Sequence, residues 1–424
     1  MKLLKDIFGR KTSIWLALEL VLVTIACWWA FDPVIVTSYA IRQPMGYDAD
    51  RLVRFEVASS VTQDVEDSEW RGIVKEEEMM VQKVLEMDDV ETAYAAASTP
   101  IGFEALSKPI NFFHGSDSLQ CWCFGFTPDS KMFEVYGIQS LTPGVPTAEL
   151  SHDGVDEETL ILTRSSAMKL FGTINVAGRK LLGKDGFGRE EKESKYYTIR
   201  AVVEDVRHGA FDRDCSNAFL CIDGLPIHVP ILARLREGVD ASHFVQAHEQ
   251  QVQHDFVTKH SYVRRMQTVR EIQDKFVEDS WIGRQMRRNL LIAAFFALNL
   301  SFGVFGTLLM YTRQRREEAG VRRAFGATKW SVFWGFIREA WLLTTVSVVV
   351  GCAIYFQFVT ASGLFDNYVS KDAAVPLWFD DFGTHFLVVS IIVYLIILCA
   401  VLIATAIPAW RICRSEITVA LKDE

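Results

Sequence analysis

Four long apolar runs divide the chain, and the segments between them differ in pattern. Each run approaches or exceeds the roughly 18 to 20 residues that an α-helix needs to cross a hydrocarbon core about 30 Å thick. The runs extend over Ile14–Phe31, Leu290–Tyr311, Ala340–Val359 and Phe386–Ile407. The pattern therefore predicts four transmembrane helices, with most of the polar sequence between the first and the second.

The segment between the first two runs has short alternating patterns instead. Residues 51–58 and 90–97 alternate as strands do, and they flank a charged helix over 69–86. Residues 109–208 hold short strand-like pieces and glycine-rich turns. A second strand and helix unit is predicted after them, with strands over 218–223, 229–236 and 258–266 and a helix over 242–252. The segment is therefore predicted to fold as a large α+β domain.

Basic residues indicate which loops face the cytoplasm. Short loops rich in Lys and Arg stay on that side of the membrane. Basic residues precede the first run, and the loop over 313–338 holds seven basic and two acidic residues, whereas the loop over 360–385 holds one Lys and four Asp. Arg284, Arg287 and Arg288 oppose this rule, but a long translocated domain precedes them. The charges place both termini inside and the large domain outside.

The first run has a second interpretation, as a cleaved secretory signal. Ser38-Tyr39-Ala40 resembles a small-residue cleavage site. The run is longer than the usual signal core of about 7 to 15 residues. Trp28 and Trp29 stand at its outer end, where aromatic residues anchor a retained helix. These features favour a retained first transmembrane helix.

Net charge and cysteine spacing argue against two kinds of function, nucleic-acid binding and zinc binding. The formal net charge of −9 is concentrated in the large domain and argues against nucleic acid as a partner. Four cysteines fall in that domain, where an oxidising compartment permits disulfides, although sequence does not give their connectivity. These are Cys121, Cys123, Cys215 and Cys221. Their spacing is a poor fit to a zinc site.

No catalytic, cofactor or metal site is predicted, and the chain is not expected to be an enzyme. Residues 178–184 match most of a phosphate-binding loop, but Asp185 stands where Ser or Thr should hold magnesium. His248 and Glu249 begin like a zinc-protease motif, yet Val252 occupies the second His position. Any ATPase activity is therefore expected from a partner subunit.

Polar and small residues within the runs predict contacts between helices. Glu19 is the acidic residue of the first run, and three roles fit it: snorkelling towards the headgroups, protonation in place, or coupling between helices. In the second run, Asn299, Gly303 and Gly306 permit close approach and hydrogen bonds across a helix contact. Packing within the chain and packing in a homodimer both fit this pattern.

A short amphipathic helix is predicted in the basic loop over 313–338. Glu318 and Arg322 are spaced i and i+4 in the favourable order. Two interpretations fit this periodicity: a helix lying along the membrane interface, and a helix docking into a groove of a partner. An apolar stripe at helical spacing supplies the contact face in both, formed by Val321, Ala324, Phe325 and Thr328.

The same loop carries a family resemblance. Glu318–Ala327, E-A-G-V-R-R-A-F-G-A, is similar to the R-E-I-G-I-R-[KR]-A-L-G-A signature of MacB/FtsX-type ABC transporter permeases. Glu317, Ala319 and Phe325 depart from it, standing where Arg, Ile and Leu are usual. Other segments resemble the same family, namely Asp117–Gly144, Leu160–Gly172, Ile199–Arg207 and Ile407–Leu421.

The resemblance implies a MacB-like periplasmic core domain followed by an FtsX-like transmembrane domain, in a bacterial inner membrane. In the core domain, two halves of a split α+β subdomain flank an inserted β-rich subdomain. The N-terminus and first transmembrane helix are expected within 1–31, and the core domain within 32–285. The FtsX-like domain is expected within 286–424, with transmembrane helices at about 290–311, 337–359 and 386–407.

The resemblance also implies a function, that of the permease subunit of an ABC-type complex. Such a subunit couples ATP hydrolysis by a separate subunit to movement of the outer domain (mechanotransmission), for efflux or export. A stalk helix over 269–285 would carry the motion. By resemblance, the residues that contact the ATPase are Glu318, Gly320, Val321, Arg322, Arg323, Ala324, Phe325, Gly326 and Ala327.

The implied partners are an ABC ATP-binding subunit, a second copy of the chain and membrane lipid. An efflux system would add a periplasmic adaptor and an outer-membrane channel. One alternative is a non-transporting regulatory subunit that controls an extracytoplasmic enzyme or sensor. Another is a membrane-anchored binding protein that uses no ATPase.

Overall fold

The structure is a computed structural model, and its described residues form two compact units. It describes residues 11–59, 67–98, 107–186, 194–209, 213–224, 229–314, 321–363 and 377–414. One unit is helical and lies within 11–39 and 281–414. The other is an α+β unit within 40–280.

The elements are numbered along the chain. The helices are α1 (Lys11–Ile41), α2 (Asp67–Leu85), α3 (Met132–Tyr136), α4 (Arg164–Phe171), α5 (Ala241–Asp255), α6 (Val269–Asp279), α7 (Trp281–Gln314), α8 (Lys329–Ser362) and α9 (Phe382–Arg414). The strands are β1 (Leu52–Ser59), β2 (Val90–Ala95), β3 (Lys108–His114), β4 (Asp117–Phe126), β5 (Thr159–Thr163), β6 (Lys180–Asp185), β7 (Lys195–Val203), β8 (Asn217–Cys221), β9 (Ile231–Leu235) and β10 (Ser261–Thr268).

Among the described residues, three helices are long and apolar enough to cross a membrane. They lie in α1, α8 and α9, over Ser13–Ile41, Lys329–Ser362 and Phe382–Arg411. The second predicted span lies inside α7, a helix of 34 residues. Three described helices therefore meet both the length and the composition of a membrane span, and a total of four stays a prediction.

The helical unit has a core built by α1, α8 and α9. Trp28 of α1 stacks on Phe386 of α9 with ring centroids 5.3 Å apart, and its ring lies 4.5 Å from that of Tyr355 in α8. Its indole N–H also donates to Ser390 Oγ at 3.1 Å. In a bilayer, close packing and hydrogen bonds of this kind hold helices together, because lipid tails are as apolar as the side chains.

One end of the α+β unit is a four-stranded antiparallel sheet in the order β10-β1-β9-β2. Alternation along β1 buries Val53, Phe55 and Val57 on one face, where residues of α2 and α5 complete the core. The predicted strand and helix pattern over 51–97 and 229–266 is confirmed. It succeeds because period-two alternation marks strands that are covered on one face.

The other end of the unit is a closed six-stranded barrel in the order β3-β4-β8-β5-β7-β6. The first strand of the second predicted unit, over 218–223, corresponds to β8, which pairs with β4 and β5 in the barrel. Its assignment to the second unit was therefore wrong. All five residues of β8 are buried, so their pattern carries no information about which sheet they join.

Two helix ends differ from the sequence expectation. The first helix continues past Phe31 to Ile41 and includes Pro33. The predicted continuous stalk over 269–285 is broken at Ser280, whose φ of −65° and ψ of 158° are extended. Helix α6 ends at Asp279, and α7 begins as a separate helix at Trp281.

Candidate functional site

The predicted ATPase-coupling segment is a helical turn followed by a sharp reversal. Glu318 and Gly320 lie outside the described residues, and residues 321–324 are helical. Gly326 has φ +96° and donates from its N–H to the Arg323 carbonyl at 3.0 Å, while the Ala327 N–H donates to the Arg322 carbonyl at 3.0 Å. These two bonds form a Schellman motif, which ends a helix at a glycine in the left-handed region.

The reversal leads directly into α8. Thr328 caps that helix by accepting a hydrogen bond from the Ser331 N–H at 3.2 Å. The sequence Gly326-Ala327-Thr328 thus ends one helix and begins the next within three residues. A Cβ added to Gly326 would meet nothing within 4 Å among the described residues, so backbone conformation explains this glycine within the chain.

The apolar stripe of the coupling segment faces away from the described chain. Phe325 is 89% exposed and Val321 is 44% exposed. On the other side, Ala327 packs against a small cluster that joins the start of α8 to the end of α9. The segment is therefore held by Ala327 against α8 and α9, and it exposes the Phe325 ring to the outside of the described chain.

Two of the four residues predicted to pack in the membrane come together. A Cβ built on Gly303 of α7 would overlap Oε1 of Glu19 in α1, so the glycine makes room for the carboxylate. Asn299 is exposed, and its Nδ2 donates to Phe295 O of its own helix at 2.9 Å. A Cβ on Gly306 would meet none of the described residues within 4 Å. Glu19 therefore lies at a helix contact.

Adding a methyl group at Gly303 is expected to disturb this contact, whereas the same change at Gly306 is not. Gly306→Ala should raise the free energy of unfolding by up to about 1 kcal/mol, because Ala is the better helix former. The free energy of unfolding of Gly303→Ala should be about 1 kcal/mol lower than that of Gly306→Ala, because the Glu19 carboxylate must move to admit the methyl group. Thermal unfolding in detergent measures both. The difference should vanish in a Glu19→Ala background, and its persistence there would refute the contact.

A buried acid and histidine pair, which the sequence analysis missed, joins α1 to α9. Nε2 of His385 lies 2.6 Å from Oδ1 of Asp32, and the two side chains are 2% and 5% exposed. The rings of Trp28 and Trp378 lie 6.0 and 5.7 Å from the imidazole. Both residues stand one position beyond an apolar run. A polar residue beside the predicted outer end of each of two runs is the signal that would have identified the pair.

The Ile199–Arg207 motif holds the chain where α1 enters the α+β unit. Nη1 of Arg207 donates to the carbonyls of Ala40 and Gln43 at 3.2 Å each. Ala40 is in the last turn of α1, where carbonyls lack helical partners and a cation is favourable. Asp205 accepts hydrogen bonds from the N–H and Oγ of Ser165, at the start of α4. The motif therefore ties the end of α1 to the barrel.

The segment after α1 is also tied to α6, which precedes α7. Nε of Arg270 lies 2.6 Å from Oδ1 of Asp50. Nε2 of Gln273 donates to the Tyr47 hydroxyl at 2.7 Å. A polar cavity of about 320 Å³ lies between the two segments. Within the α+β unit, the chain arriving from α1 and the chain leaving towards α7 are therefore joined directly.

The phosphate-loop-like residues and the four cysteines of the α+β unit lie in and around the barrel. The phosphate-loop-like residues end in β6 of the barrel rather than in a helix. The cysteines at 121, 123, 215 and 221 are free and buried. Burial raises the pKa of Cys121 to about 12 and that of Cys215 and Cys221 to about 11. In the described part of the chain, no group of three or more His, Cys, Asp or Glu side chains is placed to hold a metal.

Comparison with known proteins supports the sequence resemblance. Residues 290–417 match the family model of the FtsX-like permease C-terminal domain, which confirms the resemblance to MacB/FtsX-type permeases. The macrolide export ATP-binding/permease protein MacB of Marinobacter nauticus is 35% identical over 63 residues. That match covers 15% of this chain and 10% of the relative, so the chain spans about a tenth of the length of the curated relative it matches.

Three solved structures resemble part of the chain. The periplasmic region of MacB from Actinobacillus actinomycetemcomitans has 11% identity and a TM-score of 0.32, over 57% of this chain and 98% of that one. A domain of a putative permease from Porphyromonas gingivalis has 14% identity and a TM-score of 0.28, over 57% and 98%. The extracellular domain of the noncanonic ABC-type transporter YknZ from Gram-positive bacteria has 10% identity and a TM-score of 0.28, over 50% and 100%.

Proposed function

We propose that this chain, whose residues 290–417 match the FtsX-like permease C-terminal domain, is the permease subunit of an ABC-type complex. That match is the observation that carries the proposal. The α+β unit within 40–280 takes the place of an extracytoplasmic core domain, and the helical unit spans a bacterial inner membrane with four helices. The working form is a homodimer that binds separate ATP-binding subunits, which supply the ATPase activity.

The coupling segment contacts the ATPase in this proposal. Phe325 supports this role because a large aromatic side chain that is 89% exposed gains most from a pocket on a partner. The Schellman motif at Gly326 supports it as well, since it fixes the direction in which the segment leaves α8. Val321 and Ala324 complete the apolar face, and Arg322 and Arg323 flank it.

Motion then passes to the outer unit through its two connections. The contacts of Asp50 with Arg270 and of Tyr47 with Gln273 favour joint movement of the end of α1 and of α6. Arg207 extends that linkage towards the barrel. Mechanotransmission of this kind suits efflux or export of a molecule that is already outside, together with an adaptor and an outer-membrane channel. The same movement would serve a regulatory subunit.

Removing the Phe325 ring is expected to weaken binding of the ATPase. In co-purification with the proposed ABC ATP-binding subunit, Phe325→Ala should reduce the recovered ATPase on the order of tenfold, as expected for an interfacial anchor. Phe358→Ala is the matched control, because Phe358 is also exposed, at 55%, but lies near the opposite end of α8. If Phe325→Ala recovers as much ATPase as the control, the docking role is excluded.

A further inference from the structure

A groove of about 610 Å³ opens on the helical unit beside the coupling segment. It lies along the first part of α8 and reaches one residue of α9. Its lining residues are Ser331, Trp334, Gly335, Ile337, Arg338, Trp341 and Leu402. Arg338 is the charged residue of this lining, and the rest is aromatic, aliphatic or small.

The groove lies at the level of a membrane surface in the proposed orientation. The apolar run over 340–359 begins just after Arg338, so the groove extends from the headgroup region into the hydrocarbon. Trp334 is 59% exposed and Trp341 is 43% exposed. Tryptophan is enriched at this level because its ring is apolar and its N–H is polar. The groove is therefore shaped for a molecule that is polar at one end and apolar along its length.

The walls of the groove are held in place by neighbouring side chains. The Trp341 indole N–H donates to the Tyr394 hydroxyl at 3.1 Å, and that hydroxyl is also 3.1 Å from Thr345 Oγ1. On the other side, the ring of Phe333 lies 5.9 Å from that of Trp334 and 6.0 Å from that of Trp410. A Cβ on Gly335 would meet no described residue within 4 Å, so the described walls leave the groove open at this position.

We propose that this groove binds one phospholipid with an anionic headgroup. The guanidinium of Arg338 pairs with the lipid phosphate, and an acyl chain lies along Gly335, Trp341 and Leu402. Charge favours this occupant, since the cytoplasmic leaflet is negative and an Arg near its surface attracts anionic lipid. The inference rests on the membrane orientation of the proposed function, but not on ATPase binding.

Native mass spectrometry of the full chain in detergent tests the site, with equal amounts of phosphatidylglycerol and phosphatidylcholine added. The wild type should retain phosphatidylglycerol in preference to phosphatidylcholine. Arg338→Gln should weaken that retention roughly fivefold, as expected for one Arg at an anionic surface. Gly335→Leu should also weaken it, because the side chain fills the groove without removing charge. Lys329→Gln is the matched control, since nine residues along the helix place Lys329 on the opposite side of α8.

The outcomes separate this proposal from the permease proposal. Equal retention by Arg338→Gln and wild type, equal retention of both lipids, or no effect of Gly335→Leu would each overturn the lipid site. Thermal unfolding checks that each variant is folded, and Gly335→Leu is expected to fold because it replaces a poor helix former. The assay uses the chain without its ATPase. Failure to retain lipid therefore leaves the co-purification result standing, and failed co-purification leaves the lipid site standing.

Discussion

Replacing Asp32 with Ala is expected to destabilise the helical unit by about 3 kcal/mol. The substitution removes the hydrogen-bond partner of His385 Nε2 at a position where the imidazole is 2% exposed and surrounded by aromatic rings. A buried polar group left without that partner keeps its desolvation cost and loses the compensating interaction. Thermal unfolding in detergent, followed by circular dichroism, measures the change.

Two comparison variants make this result specific to the pair. Asp117→Ala changes an exposed carboxylate in the β3–β4 hairpin and should leave the melting temperature nearly unchanged. Asp32→Leu combined with His385→Phe should recover most of the loss, because apolar side chains of similar volume often replace a buried pair without penalty. If Asp32→Ala has the same melting temperature as the wild type, the Asp32–His385 pair does not stabilise the helical unit.

Replacing Gly351 with Val is expected to cost about 2 to 3 kcal/mol through overpacking. A Cβ on Gly351 would lie 2.7 Å from the Cβ of Thr24 and 3.1 Å from the Val21 carbonyl oxygen. The second atom belongs to the backbone of α1, so the two helices must separate to admit the side chain. Membrane helices depend on such close approach for their association. The melting temperature in detergent and the yield of folded protein from membranes should both fall.

The matched control for this substitution is in the same helix. Gly335→Val makes the same chemical change in α8, but a Cβ there meets none of the residues that the structure describes within 4 Å. It should unfold at or slightly above the wild-type temperature, because Val has a higher helix propensity than Gly. If both variants lose stability to the same extent, helix propensity or membrane insertion explains the loss, and the α1–α8 contact does not.

Much of the architecture could be predicted because it depends on local patterns. The apolar runs predict the long helices, since crossing a bilayer demands a fixed length of apolar residues. Alternation is clear in β1 and β10, which bury one face against a core, whereas four of the five residues of β9 are buried. The turn at Gly326 and Ala327 depends on hydrogen bonds between residues close in sequence. These two residues also end the Glu318–Ala327 segment that carries the family resemblance.

The errors concern interactions between residues far apart in sequence. The first apolar run ends at Phe31, but the helix that contains it continues to Ile41. Within this continuation Asp32 lies against His385, 353 positions away, and that partner could not be read from the residues around Asp32. Similarly, β8 is buried throughout, so its sequence could not assign it to the sheet or to the barrel.

The sequence by itself determined the apolar helices, the strands covered on one face and the resemblance to MacB/FtsX-type permeases, because each is written in residues near one another along the chain. Only the tertiary structure decided the barrel order, the pairing of Asp32 with His385 and the Glu19–Gly303 contact. It also decided the joining of the two chain segments that connect the α+β unit to α1 and α7. These features depend on which distant residues meet, and that is set by packing of the whole chain rather than by local pattern.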